Sequence, residues 1–257
     1  MSHLGKVRLI SPDPAPLVRL PFVATTTAPS RPASARRTTI ALKVLMAGTG
    51  LVFVGFVLLH MYGNLKSLQG EVAFNTYAEH LRTFGEPILP YGGLLWILRV
   101  GLIVCLVGHL YAAFALWGRA GVARRTRYAA ARTVWRTVWM RWGGVAILLF
   151  LIWHLLHFSI LKVSPNPDAS GPEVTNNPYK LLVASFEVPW MTIIYLLAMV
   201  ALGLHLAHGI FSSQQTLGWT SSAAGYRRAK AVGYGLAAVI AVGFMIPPIA
   251  ILFGVID

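Results

Sequence analysis

The sequence predicts an all-α, polytopic membrane protein: five transmembrane helices in one bundle, with the N-terminus cytoplasmic and the C-terminus outside. Three observations carry this expectation. Only 12% of the 257 residues are charged, while 56% are hydrophobic, and a soluble domain carries about twice that charged share. Apolar runs of about 20 residues recur, long enough to cross a hydrocarbon core of about 30 Å as helices. The connections between those runs alternate between basic and acid-balanced composition.

Residues 1–38 are polar and rich in Pro, Ser, Thr and Arg ("SPDPAPLVRLPFVATTTAPSRPASARR"). They lack the basic, apolar, small-residue order of a cleaved signal peptide, and read as a disordered cytoplasmic tail. Residues 39–257 form the membrane domain. Its spans are expected at about 41–62, 93–117, 143–162, 189–211 and 231–254, separated by polar or Gly/Pro-containing stretches such as "NLKSLQGEVAFNTYAEH" and "SPNPDASGPEVTNNP".

Loop charge orients the bundle. The tail is basic, the second connection holds seven arginines and no acid, and the fourth carries Arg227, Arg228 and Lys230. The first and third connections hold Glu71, Glu79 and Glu86, then Asp168, Glu173 and Glu187. Basic loops stay in the cytoplasm, so every basic connection falls on one side. The formal charge of +14 is therefore read as topology and headgroup contact rather than nucleic-acid binding. Arg124, Arg125 and Arg127 also offer a docking surface for a soluble partner. A lone cysteine, Cys105, excludes an intrachain disulfide.

Six of the eight histidines lie within expected spans: His60, His109, His154, His157, His205 and His208. An ionisable group at membrane depth points to function, because hydrocarbon gives it no hydrogen-bond partner. Helix rise sorts four of them by depth. His60 and His154 fall in the outer half, while His109 and His205 fall in the inner half. Each pair joins two helices, as the axial ligands of a flat iron porphyrin must. Ligation on both faces leaves no open position for substrate, so such a haem carries electrons. Glycines near these positions (Gly48, Gly50, Gly55, Gly108, Gly203 and Gly209) suit close approach to a macrocycle and suit small-residue helix packing equally.

Other chemistries fit less well. Zinc hydrolysis needs a carboxylate base, and the spans contain no carboxylate. Cys105 and His109 share a helical face, so an iron–sulfur site is an alternative, but one cysteine cannot complete a Cys₂His₂ set. Transport through a histidine relay predicts broken helices or midplane carboxylates. Arg99 lies at the depth of the outer pair, near Tyr91 and Trp96, where it would contact a haem propionate or a quinone oxygen, or snorkel to the interface.

The motifs "FVLLHMYGNLK", "AFNTYAEHLRTFG", "LVGHLYAAFALW", "FLIWHLLHF" and "HLAHGIF" together resemble the cytochrome b membrane anchor of succinate dehydrogenase and fumarate reductase, the respiratory complex II. The resemblance covers about residues 40–254. More narrowly, the chain resembles the single-chain, five-helix, di-haem type, in an actinobacterial-like version with "EPILPYGGLLWILR". It implies a non-catalytic, electron-transferring and quinone-binding subunit, multi-pass in the bacterial cytoplasmic (inner) membrane. It also implies two b haems, the outer one ligated by His60 and His154 and the inner one by His109 and His205. His157 and His208, one turn beyond the assigned ligands, are substitute ligands or, as favoured here, hydrogen-bond partners. Flavoprotein and iron–sulfur subunits would dock on the cytoplasmic face and feed electrons to menaquinone or another quinone, in an assembly open to higher oligomers. Alternatives are an anchor of a fumarate reductase or of another dehydrogenase, or one whose membrane cofactor is an iron–sulfur cluster.

Overall fold

A chain crossing hydrocarbon must satisfy its backbone polar groups internally, so apolar runs of this length become helices. The computed structural model describes residues 33–123 and 132–256. Eight α-helices occur among them: α1 (Ala33–Leu65), α2 (Glu71–Thr83), α3 (Gly93–Ala123), α4 (Arg132–His154), α5 (Pro172–Thr175), α6 (Pro178–Phe186), α7 (Pro189–Thr216) and α8 (Ala223–Leu252). No strand occurs among the described residues.

Five segments are long and apolar enough to cross a membrane: Thr38–Gln69, Gly93–Gly121, Val138–Ile160, Pro189–Thr216 and Ala223–Leu252. These are the five expected spans, generally extended at their ends because helices continue past the hydrocarbon core. The first helix begins at Ala33, within the segment read as tail; residues 1–32 lie outside the described ones.

Small residues set the tight centre of the bundle. The most extensive packing is between α7 and α8, and α1 packs on both. A Cβ added at Gly233 would lie 3.0 Å from the Ala207 carbonyl oxygen, and one at Gly203 would lie 3.0 Å from Ala241 Cβ. Backbones approach this closely where a side chain is missing, as is usual between membrane helices. Met61, Leu206, Ile210, Ala237 and Ile240 fill the core of this three-helix unit.

The remaining two spans lean on this centre from different sides. Helix α3 packs on α1, and α4 packs on α7. Among the described residues, α4 has no substantial packing against α1 or α3. Helices α3 and α4 therefore stand apart, one on either side of the α1–α7 contact.

The end bearing the acid-balanced loops, called outer below, is closed by α2 and α6. Asn177 caps α6 by accepting from the Tyr179 and Lys180 amides, a role that suits asparagine. Its side-chain nitrogen donates to Glu71 Oε1 at 2.6 Å, and Asn75 Nδ2 donates to Asn177 Oδ1 at 3.0 Å. These bonds tie α2 to α6. Helix α6 is buried from Leu181 to Phe186 and packs with Met191, Tyr195 and Ile251.

The third span changes form halfway through "LLFLIWHLLHF". Helix α4 ends at His154, and Leu155–Ile160 form a π-helical turn. Such turns widen the helix and re-aim the side chains that follow, and they are frequent at functional sites.

Candidate functional site

Imidazoles bring together helices that scarcely pack on each other among the described residues, α1 with α4 and α3 with α7. His60 on α1 faces His154 on α4, with ring centres 5.8 Å apart and planes at 77°. His109 on α3 faces His205 on α7, with ring centres 6.5 Å apart and planes at 61°. These are the two pairs expected from depth alone, and all four rings are half-buried.

Two independent helices measure the depth between the pairs. On α1, Thr49 bonds His109, and His60 follows 11 residues later, about 16 Å along the axis at 1.5 Å per residue. On α4, Gly144 faces His205, and His154 follows 10 residues later, about 15 Å. The two figures agree, so the pairs form two levels across the bundle.

The inner level is shaped by glycines. A Cβ at Gly50 would lie 3.5 Å from His109 Cε1, and a Cβ at Gly144 would lie 3.5 Å from His205 Cε1. Each inner imidazole thus rests edge-on against a glycine of a neighbouring helix. Gly203 instead serves α7–α8 packing, while Gly48, Gly55 and Gly209 face open space.

Hydrogen bonds select the free nitrogens. The Thr49 hydroxyl donates to the Leu45 carbonyl at 2.7 Å. Its oxygen therefore accepts from His109 Nδ1–H at 3.1 Å. An uncharged imidazole carries one N–H, so His109 Nε2 keeps its lone pair. His205 Nδ1 is buried with no hydrogen-bond partner among the described residues, a rare condition for a polar atom. His60 stacks on Phe56 and tilts against Phe244.

His157 has a different environment. It is 3% exposed, and both of its ring nitrogens are engaged: Nδ1 with the Tyr195 hydroxyl at 2.9 Å and Nε2 with Ser185 Oγ at 3.0 Å. Three residues on a regular helix would leave it about 60° from His154. The π-helical turn that begins at Leu155 directs it toward α6 and α7, away from the α1 pairing that His154 makes. His208 is exposed, whereas His205 beside it faces His109.

Arg99 stacks its guanidinium on Trp96, 5.1 Å from the ring centre, and both side chains are exposed. Tyr91 donates to Glu79 Oε2 at 3.0 Å. Tyr91 precedes α3, and Trp96 and Arg99 lie in its first two turns, at the end that bears the acid-balanced loops. Arg124, Arg125 and Arg127 lie outside the described residues. Nearby, Arg119 donates to Thr39 at 2.7 Å, joining α3 to α1 at the basic end.

Sequence reasoning missed Gly144, Thr49, Ser185 and Tyr195. Tyr195 carried a readable signal: it precedes His205 by ten residues on one helix, about 15 Å, which is the depth of His154. Cys105 is half-buried and free. Among the described residues, no three His, Cys, Asp or Glu side chains converge as a metal site would require.

Residues 118–245, just under half of the chain, match the family model of the succinate dehydrogenase/fumarate reductase transmembrane subunit. The match supports that family, whose members are membrane anchors of the complex. It spans His154, His157, His205 and His208, while His60 and His109 precede it. Neither the curated proteins nor the solved structures give a significant match.

Proposed function

We propose that this chain, with the transmembrane-subunit signature of succinate dehydrogenase and fumarate reductase across residues 118–245, holds two b haems and conducts electrons from an iron–sulfur subunit to membrane quinone. The observation that carries the reading is the facing of two histidine pairs, each on helices that scarcely pack on each other among the described residues. Two imidazoles held by one metal ion between them, with bonds of about 2 Å each, would have ring centres about 6 Å apart. The observed 5.8 and 6.5 Å fit that requirement.

The donor set favours haem over a bare ion. Each pair offers two nitrogens and no third protein ligand among the described residues, which suits a cofactor that brings donors of its own. An iron–sulfur cluster needs more thiolate and imidazole ligands than Cys105 and His109 supply. Haem bound through two imidazoles supplies one-electron transfer with no open position for oxygen.

The chain's own residues do the rest. His60 and His154 would hold the outer haem, while His109 and His205 would hold the inner one. Thr49 fixes the His109 tautomer and leaves Nε2 bare; that nitrogen would hold the cofactor, the usual division between a ligating nitrogen and its hydrogen-bonded partner. Gly50 and Gly144 leave room for the inner rings. The two levels, about 15 Å apart, span about half of a 30 Å core.

Succinate oxidation would take place on the flavoprotein subunit, with menaquinone or another quinone as acceptor at this anchor. The test is succinate-dependent quinone reduction by the complex purified from bacterial cytoplasmic membranes. Activity that co-purifies with this chain and is lost in His60→Ala supports the proposal. An unaltered rate in His60→Ala sinks it.

A further inference from the structure

Tyr195 and His157 lie outside the four proposed ligands, yet they are part of a continuous chain of polar contacts that ends on one of them. The chain runs from the Leu181 carbonyl through Ser185, His157 and Tyr195 to His154, across α6, the π-helical turn and α7. Its direction follows from donor counting. The Ser185 hydroxyl donates to the Leu181 carbonyl at 2.5 Å, which spends its only proton. Its oxygen must therefore accept from His157 Nε2–H at 3.0 Å. With that proton on Nε2, Nδ1 of an uncharged ring is an acceptor, and the Tyr195 hydroxyl donates to it at 2.9 Å. The Tyr195 oxygen then has only lone pairs to offer to His154 Nδ1, 3.4 Å away, a contact at the long end of hydrogen bonding. His154 carries its proton on Nδ1, and Nε2 is left bare.

We infer that Tyr195, polarised by His157 and Ser185, is a positioning residue that sets the tautomer and the electron-donating strength of His154, and through it the reduction potential of the outer haem. The inference rests on the haem reading above. A hydroxyl that donates strongly becomes a better acceptor, because bonds in such a chain polarise one another. An acceptor on the far nitrogen of a ligating imidazole raises its basicity, which favours the oxidised metal. The second histidine of "HLLH" thus acts on the first at a distance, through α7.

The experiment is a redox titration of the intact complex, following both haem absorption bands in the parent, Tyr195→Phe and Ser185→Ala, with His154→Ala identifying the outer haem. Tyr195→Phe keeps the ring packing and removes the acceptor. The expected result is an upward shift of the outer haem potential alone, equivalent to about a tenfold change in its oxidised-to-reduced ratio, or about 59 mV for one electron. Ser185→Ala shifts the same haem in the same direction by less. Where Tyr195→Phe loses the haem, Ser185→Ala decides: a shift confined to the outer haem upholds the inference. Unmoved potentials, equal movement of both haems, or movement confined to the inner haem overturn it. A parent complex with no haem signal instead refutes the haem reading itself.

Discussion

His60 and His154, ninety-four residues apart in sequence, meet edge to face with ring centres 5.8 Å apart, although their helices α1 and α4 scarcely pack on each other among the described residues. The imidazoles thus converge where the helices that carry them do not. That relationship, repeated by His109 and His205 one level further in, underlies the predictions that follow.

His154 and His157 should separate cleanly on mutation. His154→Ala removes one of two haems. His157→Ala keeps both but leaves the Tyr195 and Ser185 hydroxyls without their buried partner, a cost of about 1–3 kcal/mol. Haem content and thermal unfolding in detergent, measured on both variants, check this. Equal haem loss in the two would contradict the assignment.

Gly144 tests the inner level by size. A Cβ there sits at ordinary contact distance from His205, 3.5 Å from Cε1, so Gly144→Ala should retain the inner haem. Gly144→Leu extends into the space of the ring and should displace it, with loss of the inner haem while the outer one remains. Retention of both haems in Gly144→Leu would show that the ring does not depend on this wall.

Thr49→Val swaps a hydroxyl for a methyl of nearly the same shape and removes the acceptor on His109 Nδ1. Ligand-supporting bonds of this kind typically matter about 10–100-fold in metal affinity. The expected outcome is a haem that is lost more readily from the inner site during purification, scored as haem per chain. An unchanged ratio speaks against the tautomer assignment.

Gly233 tests the fold apart from the cofactor. A Cβ there would lie 3.0 Å from a backbone carbonyl, which cannot swing aside as a side chain can. Gly233→Ala should destabilise α7–α8 packing by about 1–3 kcal/mol, lowering the unfolding temperature while leaving haem band positions unchanged. A full-stability variant would mean that the helices separate there without cost.

Much of this architecture is legible in the sequence, because the bilayer makes the rules simple. Hydropathy alone yields the five spans, and a fixed rise per residue turns sequence number into depth, which is why both histidine pairs can be drawn before any coordinates. Three features resist that reading. The π-helical turn at Leu155–Ile160 has no marker in its composition, and it separates His157 from His154 by inserting a wider turn that only tertiary contacts stabilise. Helix α6 reads as a loop remnant between spans, since nine residues are too few to cross a membrane, yet it is the buried wall that supplies Ser185. Gly144 is hidden because a glycine facing a ring and a glycine serving helix packing look alike, as the contrast with Gly203 shows.

The most direct test of the central claim is a reduced-minus-oxidised optical spectrum of the purified complex, with haem counted per copy of this chain. Two low-spin b haems per chain, one lost in His60→Ala and in His154→Ala and the other lost in His109→Ala and in His205→Ala, is the predicted result. A spectrum without haem, or loss that follows any other pairing of these four histidines, would contradict it.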